Sequence, residues 1–227
     1  TEAPLIVKPY IADMTRSELF AIMVGGMSTV AGSVLAGYVL LGVEIQYLLA
    51  ASFMAAPGGF LMAKLLLPEA GKIVSEEEEF TLEFESHVNV IDAAASGASS
   101  GMSLALNVGA MVLAFVGLIA LVNTLLSSLG AMIGLADLSL QLLLGYAFQP
   151  LAFIVGIPWE ETRLAGSLIG QKLVFNEFVA FVSFTDQVTL LSDRSQAIVT
   201  FALCGFANFS SIGIVPVSYT HLTLPTT

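Results

Sequence analysis

The chain has 227 residues, 56% of them hydrophobic and only 11% charged, and a formal net charge of -11. Soluble domains carry about a quarter charged residues, so this composition, with mean hydropathy +0.90, excludes an ordinary globular domain and indicates an integral membrane protein. Seven Lys and Arg residues leave no basic surface for nucleic acid, and the single cysteine excludes an intrachain disulfide or a thiolate metal cluster.

Residues 1–14 are mixed, contain Pro4 and Pro9, and are too short to span. No signal peptide opens the chain and Thr1 is not an initiator, so the sequence reads as a piece of something longer. Residues 19–43 are apolar but rich in small residues, and a turn is expected around 25–30. In hydrocarbon such a turn must be buried in protein or line a cavity. Residues 45–67 form a second span containing Pro57, and 68–89 an acidic interfacial segment in which Glu76 to Glu79, Glu83 and Glu85 are solvated. A long helix covers 92–134, with Asn107 and Asn123 bracketing its apolar stretch and small residues at its front suited to close packing.

Residues 138–157 are expected to re-enter as two half-helices turning near Phe148, Gln149 and Pro150, with Tyr146 and Trp159 as interface anchors. Residues 162–184 and 192–214 then each read as one span with polar residues near mid-depth. On that plan Arg16, Lys64, Lys72 and Arg194 fall on one side and Arg163 on the other, so the positive-inside rule makes the first side cytoplasmic. The order hairpin–span–span occurs twice with opposite topology, the plan of inverted-repeat secondary transporters. The fold class is therefore all-α integral membrane, with re-entrant helical hairpins and broken transmembrane helices, and the location is a multi-pass position in the cell membrane.

A charge at mid-bilayer costs roughly 2.5–3.5 kcal/mol even on lenient scales, so Lys172, Asn176 and Glu177 inside an apolar run need a purpose. Asn176 and Glu177, with Glu2, Ser28, Thr29, Asn208, Ser210 and Ser211, form a set that can satisfy an uncharged, polyhydroxylated solute. A carboxylate accepts from vicinal hydroxyls, and an amide both donates and accepts. Phe175, Phe178, Phe206 and Phe209 would wall a ring. The alternative for Glu177 is an ion pair with Lys172, but five residues place the two about 140° apart round a helix. Lys172 is expected to snorkel or pair elsewhere. Asn208 and Ser211 also suit interhelical packing. His87 and the serines of 96–103 form no nucleophile–base motif, so the chain is not read as an enzyme, and no cofactor is expected beyond a coupling ion.

Several stretches resemble the concentrative nucleoside transporters of the bacterial nucleoside permease type. Thr1-Glu-Ala-Pro-Leu5 followed by Lys8-Pro9-Tyr10 looks like the end of that family's Gly-Gln-Thr-Glu-x-Pro signature. Gly25-Gly-Met-Ser-Thr-Val-Ala-Gly-Ser-Val-Leu-Ala-Gly-Tyr38 is similar to its broken fourth helix. Asn89-Val-Ile-Asp-Ala-Ala-Ala-Ser-Gly-Ala-Ser-Ser-Gly101 with Leu104-Ala-Leu-Asn-Val-Gly-Ala110 resembles its scaffold helix. Asn176-Glu-Phe-Val-Ala180 and Cys204-Gly-Phe-Ala-Asn-Phe-Ser-Ser-Ile-Gly213 resemble its substrate-bearing helices.

The resemblance implies a sodium- or proton-driven nucleoside importer, homotrimeric in the lipid bilayer, moving solute by an elevator-like shift. It implies that Thr1 and Glu2 face the base, that Val34 and Phe206 contact it apolarly, and that Glu177, Asn208 and Ser211 hold the ribose. Thr29 and the Val30 carbonyl fall at the cation site. Thr29 stands where serine is common in sodium-coupled members, which leaves the ion open.

Residues 1–67 then belong to the first repeat of the transport domain, 68–91 to the interface, 92–134 to the scaffold and 138–214 to the second repeat. The tail 215–227 does not look like the family and reads as non-native, His221 with it. The family's preceding Gln, a sodium-binding Asn, three spans and half a hairpin are missing, so this chain alone is not expected to transport. The rival reading is a membrane channel or scaffold whose polar residues only pack helices.

Overall fold

The structure, a computed structural model, describes residues 14–30, 32–69, 89–132, 134–135 and 137–209. Thr15 starts the first helix, α1 (Arg16–Ser28), with a capping box. Its hydroxyl accepts from the Glu18 N–H, and the Glu18 carboxylate accepts from the Thr15 N–H. The helix stops at Thr29, whose N–H and hydroxyl both donate back to the Gly25 carbonyl, at 3.3 and 2.9 Å. A hydroxyl competing for that carbonyl offers the backbone an alternative to continued helix. The chain is extended at Thr29 and resumes as α2 (Gly32–Leu40), so the interruption falls at the end of the 25–30 interval expected from the small residues.

Next, α3 (Ile45–Leu66) runs antiparallel to α1. At one end the Ser17 hydroxyl donates to the Leu67 carbonyl at 2.8 Å, and Lys64 reaches Ser17 at 2.8 Å and Glu69 at 3.3 Å. Further along, Ser28 lies over Gly59. With 22 residues, α3 is about 33 Å long, enough for a hydrocarbon core of about 30 Å. One face, with Leu48, Ala51, Gly59 and Ala63, is buried, while Phe53, Met54, Phe60, Leu61 and Leu65 are exposed. An apolar outer face of this kind suits lipid rather than water.

The described residues fall into two compact units, one holding those up to 69 and from Leu144 onward, the other those from 89 to Leu143. The second is dominated by α4 (Val90–Met132), 43 residues long, whose Leu113–Met132 stretch is also long and apolar enough to cross a bilayer. There Asn123 accepts from the Leu140 N–H and donates to Gln141, both at 2.8 Å. It thereby satisfies the start of the following helix.

That helix, α5 (Leu140–Ile154), corrects the expected hairpin. It continues unbroken through Phe148, Gln149 and Pro150, and the chain turns only after Ile154. Gln149 does not need a turn, because its side chain donates to the Thr162 hydroxyl at 3.1 Å. The chain returns as α6 (Thr162–Val174), antiparallel to α5 and almost backbone to backbone. A Cβ on Gly166 would lie 2.9 Å from Gln149 N, the Gly145 carbonyl oxygen and the Phe148 carbonyl carbon.

The expected single span over 162–184 is likewise two helices. α6 ends at Val174, Phe175 leaves the helix, and α7 (Glu177–Gln187) folds back along α6. Gln171, bonded to Ser167, accepts from the Ser183 hydroxyl at 2.8 Å across the pair. With 13 and 11 residues, the two are about 20 and 16 Å long, short of a bilayer core. A 3-10 turn, Val188–Leu190, leads to α8 (Asp193–Leu203).

This hairpin undoes the expected sidedness. Because the chain turns back at residues 175–176, Arg194 returns to the Arg163 end: Ser192 donates to Glu161, and the Arg194 guanidinium lies by Gly156. Arg16 and Lys64 stand at the opposite end of the unit, since Phe201 of α8 packs on Tyr47, at the far end of α3. The described basic residues are therefore balanced between the ends, and the positive-inside rule selects neither. Lys72 and most of 68–91 lie outside the described residues.

The core of the first unit is apolar, with Tyr38, Leu48, Ala152, Leu168, Phe181, Phe184, Val199 and Leu203 buried together. Among the described residues there is no strand.

Candidate functional site

Two chain interruptions meet in this unit. α8 ends at Leu203 with Cys204 as its C-cap, and Gly205 follows with φ +103°, a left-handed conformation that L side chains rarely adopt. A Cβ at Gly205 would stand 2.7 Å from the Ser28 carbonyl oxygen, the last residue of α1. Only a glycine lets the backbone turn here and approach α1 so closely. Since Phe201 lies by Tyr47 and Ser28 faces the middle of α3, α1 and α8 reach this junction from opposite directions, each with its C-terminal end.

The hairpin tip comes to the same place. Asn176, extended at φ -161° and ψ 168°, caps α7 by accepting the Val179 N–H at 2.9 Å. Glu177 is thereby the first helical residue, where the positive end of the helix dipole favours a carboxylate. Both are buried. Asn208 Nδ2 donates to Glu177 Oε2 at 3.0 Å. The sequence reading thus named a pair that the fold brings together from 31 residues apart. Asn176, grouped there with the solute-binding polar residues, instead starts the helix.

Lys172 is also buried, and its Nζ donates to the Ala202 carbonyl at 3.0 Å, in the last turn of α8. A cation at a helix C-terminus is favoured by the exposed carbonyls, so Lys172 is paired elsewhere, as expected, rather than bridged to Glu177. Thr29 and Val30 form the interruption between α1 and α2, with the Thr29 hydroxyl proton directed to Gly25. Val34 packs half-buried against the apolar core, and Phe206 is half-buried beyond Gly205.

Of the expected aromatic walls, Phe175 is buried, Phe178 faces the Tyr38 ring at 6.0 Å, and Phe209 is exposed. Thr1, Glu2, Ser210 and Ser211 lie outside the described residues. Tyr38 was not singled out from sequence. It sits four residues after Val34, hence on the same helix face, and its hydroxyl lies in the electrostatic field of Glu177. Among the described residues no group of three or more His, Cys, Asp or Glu could hold a metal ion.

At the Arg163 end, Glu161 accepts from the Ser192 N–H and hydroxyl at 3.1 and 3.0 Å. Hydrogen bonding, chiefly from Ser195, holds its carboxyl below the usual range; burial, the next-largest effect, opposes this, and the Ser192 N–H and hydroxyl add smaller contributions in the same direction as Ser195.

A family model described as "Na+ dependent nucleoside transporter C-terminus" matches residues 47–226. The chain belongs to that family. The match runs through most of the tail 215–227 that the sequence reading set apart from it. The chain is 56% identical over 216 residues to the uncharacterized transporter YutK of Bacillus subtilis, covering 95% of this chain and 54% of that protein. It is 50% identical to the nucleoside permease NupC of Helicobacter pylori, covering 95% and 52%. Among solved structures, CNTnw in an inward-facing substrate-bound state superposes with a TM-score of 0.88 at 53% identity, over 97% of this chain and 52% of that one. The fold is therefore that of an all-α membrane transporter, and these relatives are named as permeases and transporters, not enzymes. The chain spans about half the length of the curated relatives it matches.

Proposed function

We propose that the whole protein is a cation-coupled symporter that carries nucleosides into the cell by alternating access. The observation that carries this reading is the buried 3.0 Å bond between Asn208 and Glu177 where two interrupted helices meet. An ionised carboxylate offers about four acceptor positions, so the same group can take vicinal ribose hydroxyls beside the amide. Glu177, Asn208 and Ser211 hold the ribose, Val34 and Phe206 contact the base, and Thr1 and Glu2 face it from the first hairpin.

The cation belongs at Thr29 and the Val30 carbonyl. The negative end of α1's dipole favours positive charge there, and a threonine hydroxyl that donates its proton to Gly25 still has lone pairs for an ion. The family description favours sodium; a proton is the alternative. When bound, the ion supplies the electrochemical driving force.

Residues 1–67 and 138–214 form the moving transport domain of two inverted repeats, with the second re-entrant hairpin now at α6–α7. Residues 92–134 form the scaffold of a homotrimer, and 68–91 an interfacial segment, in a multi-pass protein of the cell membrane.

Glu177→Gln in the whole protein tests the ribose assignment. Uridine uptake is expected to be lost while surface delivery is kept, and unchanged uptake rejects it. Uphill accumulation in proteoliposomes, with sodium and pH gradients imposed separately, identifies the ion and separates a symporter from a channel, which only equilibrates solute.

A further inference from the structure

Among the described residues, the Tyr38 hydroxyl is the buried side-chain polar atom that makes no well-formed hydrogen bond, although Glu177 is near enough to interact with it. The residue is 0% exposed. Buried polar groups are nearly always paired, and leaving one unpaired is destabilising, so a phenol here, where phenylalanine would fill the same space, needs a reason.

Geometry places the phenol on the face of α7 that carries Glu177. Its ring lies 4.3 Å from that of Phe181 and 6.0 Å from that of Phe178. Phe181 follows Glu177 by four residues and so shares its face. Neighbouring Gly37 brings the α2 backbone against the same turn, 3.9 Å from the Phe178 ring by its missing Cβ. Glu177 is the charged group with the strongest influence on the hydroxyl. In this arrangement the Glu177 carboxylate is engaged by Asn208.

Resting on the ribose reading above, we infer that Tyr38 is a positioning residue for substrate recognition. Its hydroxyl donates to the Glu177 carboxylate at an acceptor position that Asn208, bonded to Oε2, leaves free, and so holds the orientation that accepts the ribose hydroxyls. Tyr38 and Val34, one turn apart on α2, would then serve the sugar and the base from a single helix face.

The test is Tyr38→Phe in the whole protein, which removes only the oxygen. Binding of uridine, 2′-deoxyuridine and 3′-deoxyuridine is measured on purified protein, with uptake kinetics and thermal stability alongside. Wild type is expected to prefer uridine. In the variant, uridine affinity should fall about tenfold, the scale of one hydrogen bond to a charged group. The analogue lacking the hydroxyl held by Glu177 should weaken little, with maximal uptake rate and stability kept. An unchanged preference for uridine, or equal weakening of all three ligands, overturns the inference. A wild type that does not discriminate among the three instead defeats the ribose reading on which it rests.

Discussion

Gly205→Ala is the sharpest test of the junction between α1 and α8. Two costs act together. The residue has φ +103°, and forcing an L side chain into left-handed backbone costs roughly 1–2 kcal/mol. Its new Cβ would also meet the Ser28 carbonyl oxygen at 2.7 Å and the Met27 carbonyl oxygen at 3.4 Å. Backbone cannot rotate away as a side-chain tip would, and overpacking of this kind costs about 1–3 kcal/mol. The sum, about 2–5 kcal/mol, corresponds to a fall in melting temperature of about 4–20 °C for a domain of about 150–250 residues, and a smaller one for the longer whole protein. Thermal unfolding of the purified whole protein, with uridine uptake measured in parallel, reads both effects. Uptake should fall as well, because relieving the clash moves Asn208, three residues on, away from Glu177. Gly58→Ala is the control: its Cβ would meet nothing within 4 Å, and the change should leave stability unchanged or slightly raised. If Gly205→Ala melts within a degree of wild type and transports normally, the two interruptions do not meet as described.

Three further outcomes follow from the same geometry. Asn176→Ala should cost about 0.5–2 kcal/mol through loss of the cap on α7, whereas Asn176→Ser, which keeps an uncharged acceptor at this buried position, should retain most of the stability; equal loss in both would contradict the capping role. Lys172→Met leaves the Ala202 carbonyl without its cation and should destabilise by about 1–3 kcal/mol, with Lys172→Arg retaining part of the stability in the same melting assay. Glu161→Gln should lower the melting temperature at neutral pH. Because hydrogen bonding holds the folded carboxyl below its ordinary 4.5, its stabilisation is complete above that value and is lost as pH falls through the lower folded value. Wild type and variant should therefore converge in acid, and a difference that persists there would rule out the carboxylate as its source.

How far the sequence could be read depended on which physical signals are local. The long apolar runs of α3 and α4 were visible from length alone, and the interruption at Thr29–Val30 from a density of small residues that hydrocarbon does not explain. Glu177 and Asn208 stood out because polar groups at mid-depth are costly, and the fold joins them. The second hairpin was misplaced because Pro150 was read as a break and Asn176 as a ligand. A helix tolerates an internal proline, while an asparagine that caps a helix start carries no mark in composition separating it from one that binds solute. The sidedness error followed directly, since one missed reversal sends every later arginine to the wrong face. Tyr38 looked like one more aromatic in an apolar helix, and its nearness to Glu177 exists only once α2 and α7 are packed.

Asn176 and Glu177 are adjacent, so the residue that fixes where α7 begins also fixes the compass bearing of the carboxylate. Each residue advances a helix by about 100°. Adding or removing a single residue between Val174 and Asn176 would leave the cap intact yet offset the tip against α6, swinging the acid away from Asn208 without changing any side chain's chemistry. The length of this connector is thus under tighter constraint than its composition, and relatives that vary its residues while keeping its count would preserve the aim of the acid.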